Sequence, residues 1–167
     1  MKVSIILPTS NNEILAERAI ISLLNQTYKK IEILIGLNGN TQKYDSEIKR
    51  KFIDYKQIIF FQIKANNIVD ALNYLIDKSK GDYIARMDAD DIAHPERLEK
   101  QIRYIKHNKS VFVSSNAKIV DTNLDTFHTH QNTKSSKFYK NSIIHPSIIV
   151  KNTILKKFKY RQIPYAE

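Results

Sequence analysis

Two nearly continuous apolar runs, Val3–Leu7 and Ile31–Leu37, restrict the fold of this chain more than any other feature. Both are rich in β-branched residues, which is typical of strands in a parallel sheet that helices cover on both faces. Between the two runs, Leu15, Ala19 and Leu23 follow helical spacing. Strands that alternate with helices predict an α/β fold with a mostly parallel sheet flanked by helices, and 167 residues fit a single domain.

The alternation continues along the chain. Pro8 is predicted to end the first strand, and Glu13 is predicted to begin the first helix. Residues 122–141 are polar and are predicted to form a mobile flap. The other predicted elements are a helix over Asp45–Tyr55, a strand over Gln57–Ile63, a helix from Ile68, a strand from Gly81, a helix from Pro95, short strands over Val111–Ser115 and Ala117–Asp121, and a strand over Ile143–Val150 that a His-Pro step interrupts.

Three carboxylates, Asp88, Asp90 and Asp91, follow the short apolar strand that begins after Gly81. Pro95 fits the first position of the next helix, so the carboxylates are predicted to lie in a loop at the carboxyl end of a strand, where open α/β sheets bind ligands. Two carboxylates separated by one residue can bind a hard cation such as Mg²⁺ or Mn²⁺ through oxygen. The alternative is a helix cap with solvated charge, but Asp88 and Asp90 lie too far upstream of Pro95 for capping.

The formal net charge of +10 indicates an anionic partner: nucleotide phosphates, anionic lipid headgroups or nucleic acid. The alternative is that lysines spread over the whole chain simply keep it solvated. Two clusters are more local, at 49–51 and at the carboxy-terminal residues Lys156, Lys157, Lys159 and Arg161. The second cluster could rest on a membrane surface.

The chain has no cysteine, which excludes disulfides and thiolate metal sites. His128 and His130 could bind a metal, but without cysteine or acidic partners they are more typical of solvated histidines. No apolar run approaches the ~18 residues of a membrane span, and no signal peptide is evident. These features predict a cytoplasmic location.

Residues 86–91, Arg-Met-Asp-Ala-Asp-Asp, together with Pro95, Arg97, Leu98 and Gln101, resemble the Asp-X-Asp segment of family 2 glycosyltransferases. These are inverting nucleotide-sugar enzymes with the Rossmann-like GT-A fold, and the resemblance covers nearly the whole chain. It implies that Asp90 binds the metal directly and that Asp88 holds the metal or one of its waters, or the ribose. Arg86 and Ala89 then belong to the donor site, although Arg86 could simply pair with a local acid.

Several other segments support the same resemblance. Residues 8–13 are similar to the family's Pro-x-Tyr-Asn loop, which contacts the nucleoside; here a serine stands where an aromatic residue is common, which removes one stacking surface for the base. The second strand ends in an asparagine where the family commonly has an acidic pair that contacts the nucleotide base. The identity of the nucleotide base is therefore left open. The implied substrate-binding residues in these and related segments are Pro8, Thr9, Ser10, Asn12, Glu13, Asn38, Asn73 and His145. For Asn73 and His145 the alternatives are an exposed polar residue and a histidine at the edge of the core.

The last three residues, Tyr-Ala-Glu, are similar to a family segment in which Glu is followed by Asp and the pair supplies the general base. The resemblance implies that Glu167 is this base. It also implies that residues 1–167 are the donor-binding part of a GT-A domain whose carboxy-terminal acceptor portion is missing. A base at a chain end is poorly held, so weak or absent transfer is expected.

The implied reaction transfers a sugar from a nucleotide-diphospho-sugar, with a UDP-sugar favoured, to a glycan or lipid-linked acceptor in bacterial surface polysaccharide or lipopolysaccharide synthesis. One alternative is a catalytically incomplete nucleotide-sugar-binding remnant. A nucleic-acid-binding protein would need a focused basic face interleaved with aromatic residues, which the sequence does not plainly show. An Asp-x-Asp phosphatase would need Thr or Val where Ile92 stands.

Overall fold

The computed structural model describes residues 1–9, 13–39, 41–65, 67–120, 126–130 and 143–162, with the backbone alone for Glu13 and for residues 126–130. The elements in chain order are β1 (Val3–Thr9), α1 (Glu13–Leu24), β2 (Ile31–Asn38), α2 (Gln42–Phe52), β3 (Ile58–Ile63), α3 (Ile68–Lys78), β4 (Tyr83–Arg86), α4 (Arg97–Asn108), β5 (Phe112–Val113), β6 (Ala117–Val120), β7 (Thr126–His130), a 3₁₀ turn (His145–Ser147), β8 (Ile149–Lys151) and α5 (Asn152–Lys157).

Six strands form the main sheet, in the order β3-β2-β1-β4-β8-β5. Strands β3, β2, β1 and β4 are parallel to their neighbours, whereas β8 is antiparallel to both β4 and β5. Strands β6 and β7 form a separate antiparallel pair. The prediction of an α/β fold with a mostly parallel sheet is confirmed.

The two apolar runs lie at the centre of this sheet and are buried on both faces. Val3, Ile5 and Leu7 of β1 face one core with α1, α2 and α4, while Ile6 and Leu34 face a second core with α3. Burial of one such side chain stabilises the fold by about 1.5–3 kcal/mol. This two-sided burial is why the runs contain so few polar residues.

Pro8 does not end β1, and this prediction was wrong. The strand continues to Thr9, and Pro8 pairs with Gly36. The carbonyl of Ile6 points toward β4 and accepts a hydrogen bond from Met87 N at 3.1 Å. Because the backbone polar groups of successive residues point to alternate sides of a strand, those of Pro8 also point toward β4. Because β4 has already ended at Arg86, the missing N–H of Pro8 costs no ladder hydrogen bond.

Pro95 is not the first helical residue either. Helix α4 begins at Arg97 with Glu96 as its cap. The Pro95 carbonyl accepts a hydrogen bond from Thr27 N at 2.9 Å, while Arg97 N closes a turn onto His94 O at 2.9 Å. Because its carbonyl forms this hydrogen bond with Thr27, which is distant in sequence, Pro95 belongs to a turn that precedes the helix.

The last third of the chain differs most from the prediction. Within the segment 122–141, predicted to be a flap, Thr126–His130 forms β7 and pairs with β6. Threonine and aromatic residues favour strands, and this local preference was missed because the segment lacks aliphatic residues. The strand predicted over 143–150 is reduced to β8, since the His-Pro step forms a 3₁₀ turn. None of the helices in the described residues has the length and apolar character that crossing a membrane requires.

Candidate functional site

The three carboxylates lie together immediately after β4. One oxygen from each of Asp88, Asp90 and Asp91 lies within 4.8 Å of the others. A turn brings them together, with Asp91 N 3.4 Å from Asp88 O. An oxygen-only donor set of this size fits a hard divalent cation such as Mg²⁺ or Mn²⁺.

The electrostatics of this acidic loop, residues 88–91, favour a bound cation. The pKa of Asp91 is raised to about 6, chiefly by burial and also by the charges of Asp88 and Asp90, while Arg86 and Arg97 oppose the rise. Burial also raises the pKa of Asp88, although Arg86 lowers it. The arginines therefore do not fully offset the negative charge of the loop.

Arg86 is the last residue of β4 and forms a two-pronged ion pair with Asp88. Its Nη1 and Nη2 lie 2.8 Å and 2.6 Å from the two carboxylate oxygens. The residue is only 7% exposed, and its Nε is buried without a hydrogen-bond partner in the described part of the chain. Of the two roles considered for Arg86, the structure shows the pairing with a local acid.

Arg97, the first residue of α4, holds the end of β4 that leads into the acidic loop. Its Nη2 donates to Arg86 O at 2.9 Å, and its Nε donates to Gln101 Oε1 at 3.3 Å. Burial lowers the pKa of Arg97 to about 10, while the negative charge of Asp91 opposes this change and favours the charged form of the arginine. Gln101 in turn donates to Ser147 O at 2.7 Å. Helix α4 thus fixes both the end of β4 and the 3₁₀ turn.

His145 lies in that turn, and its partner is Tyr160. His145 Nε2 and the Tyr160 hydroxyl are 2.8 Å apart, and the two rings meet edge to face. Burial lowers the pKa of His145 to about 4, with a contribution from the Arg86 charge. Burial also raises the pKa of Tyr160 to about 12, while the nearby Arg86 lowers it and Asp88 raises it. The pair therefore lies beside Arg86 and Asp88.

Helix α3 holds the carboxy-terminal segment, residues 156–162, along its whole length. Asn73 makes both contacts to the Tyr160 backbone: its Nδ2 donates to the carbonyl and its Oδ1 accepts from the N–H, each at 3.0 Å. The other contacts are Lys156 Nζ to Ser79 O at 2.9 Å, Lys159 Nζ to Asp77 at 2.7 Å and Gln162 Nε2 to Asp70 at 3.1 Å. The segment therefore runs antiparallel to α3 and reaches its amino-terminal end, at the same sheet edge as the acidic loop.

The remaining predicted residues lie at the carboxyl ends of the central strands. Pro8 and Thr9 are the last two residues of β1, and Thr9 Oγ1 donates to Gly36 O at 3.2 Å. Asn38 ends β2, and its Oδ1 accepts from Ala65 N at 2.9 Å. Asn38 is two strands from β4, about 10 Å away. Ala89 lies between the carboxylates of the acidic loop.

Four predicted site residues lie wholly or partly outside the described residues. Ser10, Asn12 and Glu167 are outside them, and Glu13 is described only as the backbone start of α1. Their roles stay predictions. Sequence reasoning gave no role to Tyr160, Arg97 or Gln101; the motif that continues past Asp91 was the available signal for the last two, and no signal pointed to Tyr160.

Comparison with protein families and curated proteins gives one consistent result. The profile of Glycosyl transferase family 2 matches residues 4–163. An uncharacterized glycosyltransferase of Methanocaldococcus jannaschii is 35% identical over 169 residues, which cover 95% of this chain and 58% of that protein. The O-antigen biosynthesis glycosyltransferase WbnJ of Escherichia coli is 28% identical over 164 residues, covering 93% of this chain and 63% of WbnJ. The chain thus spans less than two thirds of these relatives.

Solved structures share the fold. TarS 1–349 of S. aureus superposes with a TM-score of 0.76 at 19% identity, over 95% of this chain and 49% of that one. The same protein in complex with UDP-GlcNAc gives a TM-score of 0.74. The mannosyltransferase PcManGT of Pyrobaculum calidifontis, in complex with GDP-Man and Mn²⁺, gives 0.73 at 18% identity, over 94% of this chain and 46% of that one.

Proposed function

The chain belongs to glycosyltransferase family 2, and on that premise we propose that it binds a nucleotide-diphospho-sugar at the carboxyl ends of β1, β2 and β4 for transfer of the sugar. The observation that carries the proposal is the acidic loop, whose three carboxylates lie within 4.8 Å of one another at the ligand-binding edge of a GT-A sheet. The UDP-GlcNAc and GDP-Man complexes of TarS and PcManGT support a nucleotide-sugar donor. A UDP-sugar remains the favoured donor.

Asp90 and Asp88 would hold the metal, Mn²⁺ or Mg²⁺. Asp90 is the most exposed of the three carboxylates and can turn toward a cation, while Asp88 is oriented by its ion pair with Arg86. Asp88 can also hold a metal-bound water or a ribose hydroxyl. When bound, the metal would offset the charge that builds on the leaving nucleoside diphosphate. The Mn²⁺ in the PcManGT complex supports this assignment.

Transfer would proceed with inversion. An acceptor hydroxyl oxygen bonds to the anomeric carbon from the face opposite the diphosphate, the bond from that carbon to the diphosphate oxygen breaks, and a base takes the hydroxyl proton. Glu167 is the proposed base. Its support is the carboxy-terminal segment: Gln162 is fixed at the acidic-loop edge, and five further residues can span up to about 17 Å.

The acceptor is proposed to be a glycan or a lipid-linked glycan of a bacterial surface polysaccharide. The similarity to WbnJ, an O-antigen biosynthesis enzyme, supports this class. A cytoplasmic enzyme with peripheral contact to the inner face of the membrane would meet such an acceptor together with its nucleotide-sugar donor.

The test measures nucleoside diphosphate released when the chain is incubated with Mn²⁺, a panel of UDP- and GDP-sugars and lipid-linked glycans extracted from bacterial membranes. Release with at least one donor, absent in Asp90→Asn, is expected for a transferase. Donor binding without release would instead identify a catalytically incomplete nucleotide-sugar-binding protein. A folded chain that binds none of the donors would contradict the proposal.

A further inference from the structure

The edge of the main sheet opposite the acidic loop carries a lysine at every strand. The parallel strands begin at this edge, and the antiparallel β8 ends there. We name this set the lysine edge; across the sheet it consists of Lys56 before β3, Lys29 and Lys30 before β2, Lys2 before β1, Lys80 before β4, Lys151 at the end of β8 and Lys109 before β5.

The strand register makes this row continuous. Val3 pairs with both Ile31 and Tyr83, and Tyr83 pairs with Lys151, so β2, β1, β4 and β8 are aligned at this edge. Lys151 N donates to Val111 O at 2.7 Å, which aligns β5. Six strands spaced about 4.8 Å apart give a row about 24 Å long.

Most of this charge is not offset. Lys2 pairs with the buried Glu32. The other six lysines are exposed, and none of them forms an ion pair within the described ranges. The acids near the row include Asp54 and Asp82, and Asp82 accepts from Lys2 N at 2.7 Å. Helices α2 and α4 also end at this edge, with basic last turns that add to the positive potential.

A cleft opens in the middle of the row. Its volume is about 630 Å³, and its lining includes Lys80, Lys151 and Lys156 as well as Asp82. The lysines make the cleft a suitable place for a phosphate group. Because Lys80 and Lys151 belong to both the cleft and the row, one extended anionic surface can contact the cleft and the row at the same time.

Exposed apolar side chains flank the row at both ends. Ile53 is 76% exposed and Tyr55 is 43% exposed beside β3, and Val111 is 47% exposed beside β5. Aliphatic side chains gain from insertion at the boundary between headgroups and acyl chains, whereas they gain little from a phosphodiester backbone. The two aliphatic side chains, Ile53 and Val111, therefore favour a lipid surface over a nucleic acid, whereas Tyr55 suits either.

We propose that the lysine edge is a docking surface for a membrane that contains anionic phospholipids. Seven residues of β1 separate this edge from the acidic loop, so the docked protein holds its candidate donor site about 20 Å from the lipid headgroups. Of the carboxy-terminal basic cluster, Lys156 lines the cleft and so belongs to this surface, whereas Lys159 is paired with Asp77 of α3. The inference does not depend on sugar transfer, since lipid binding is measured without a donor.

The test is co-sedimentation with vesicles of phosphatidylcholine, alone or mixed with phosphatidylglycerol. We expect binding to the mixed vesicles only, reversed by high salt. The triple variant Lys56→Gln/Lys80→Gln/Lys109→Gln should bind about 100-fold more weakly, given about 1 kcal/mol for each lysine near an anionic surface. The matched control, Lys43→Gln/Lys64→Gln/Lys118→Gln, removes the same charge away from this edge and should bind like the unmodified chain.

Three results would overturn the proposal. The first is no binding to the mixed vesicles, and the second is an equal loss in the two triple variants, which would reflect net charge alone. The third is preferred binding to random single-stranded RNA that the first triple variant loses, which would make the lysine edge a nucleic-acid surface. Thermal unfolding of both variants confirms that each is folded, and nucleotide binding, if present, should be unchanged in the lysine-edge variant.

Discussion

Asp91 is the residue at which the charge of the acidic loop is least compensated. Its pKa is raised to about 6, mainly by burial. Between the usual carboxyl range and pH 6 the folded state therefore binds more protons than the unfolded state, so the contribution of Asp91 to stability falls as pH rises through this window. Above pH 6 the ionised cluster destabilises the fold and at the same time favours a divalent cation.

We therefore predict that Asp91→Asn stabilises the metal-free chain at pH 7.5, by about 1 kcal/mol after allowance for solvent screening. The gain should shrink as pH falls and vanish at about pH 3, below the usual carboxyl pKa, where Asp91 is protonated in both the folded and the unfolded chain. Urea unfolding at the two pH values measures both effects. Unfolding free energies that are equal for variant and unmodified chain at pH 7.5 would show that neither burial nor the neighbouring carboxylates destabilise the ionised form of Asp91.

Asn73 is a second residue whose role follows from its contacts. Both polar atoms of its amide are bonded to the Tyr160 backbone. We predict that Asn73→Ala lowers the free energy of unfolding by about 1–3 kcal/mol and makes the carboxy-terminal segment more sensitive to trypsin. Asn108→Ala is the matched control, because within the described residues the Asn108 side chain bonds only inside α4, to Tyr104 O at 3.0 Å. Equal trypsin sensitivity in the two variants would contradict this role for Asn73.

At the scale of elements, local pattern predicted the strands that are buried on both faces. β1 and β2 were found because two-sided burial leaves a long apolar run. The short strands β5 and β6 were also predicted, with longer bounds, but the pairing of β5 with β8 depends on residues distant in sequence, and β7 was missed because its segment lacks aliphatic residues. Likewise the acidic loop is visible as a motif, whereas the place of Tyr160 depends on how residues 156–162 lie on α3.

The approach of β4 to β1 depends on Gly81. A Cβ at this position would lie 2.6 Å from Ser4 N and 2.9 Å from Lys2 O. These are backbone atoms, so Gly81→Ala should cost about 2–4 kcal/mol of unfolding free energy, measured by urea denaturation. Gly39→Ala provides a comparison, because its Cβ would meet nothing within 4 Å and only its φ of +68° is unfavourable; about 1 kcal/mol is expected. A smaller loss for Gly81→Ala than for Gly39→Ala would contradict this account of the strand packing.

At the scale of the whole molecule, charge is separated between the two edges of one sheet. The carboxyl ends of the strands carry the acidic loop, while the opposite edge carries the lysines. The net charge of +10 was evident from composition, but its separation was not, because the lysines are spread over the sequence and meet only when the strands pair. A cation and a nucleotide are expected at one edge and an anionic surface at the other.

The central claim is that the acidic loop binds a nucleotide through a divalent cation. Calorimetric titration with UDP and GDP, in Mn²⁺ and in EDTA, tests it most directly, using Asp90→Asn and the control Asp54→Asn, which makes the same change outside the acidic loop. The account predicts binding of at least one nucleotide in Mn²⁺, lost in EDTA, weakened at least about tenfold in Asp90→Asn and retained in Asp54→Asn. Nucleotide binding that is the same in EDTA, or equal in the two variants, would contradict it.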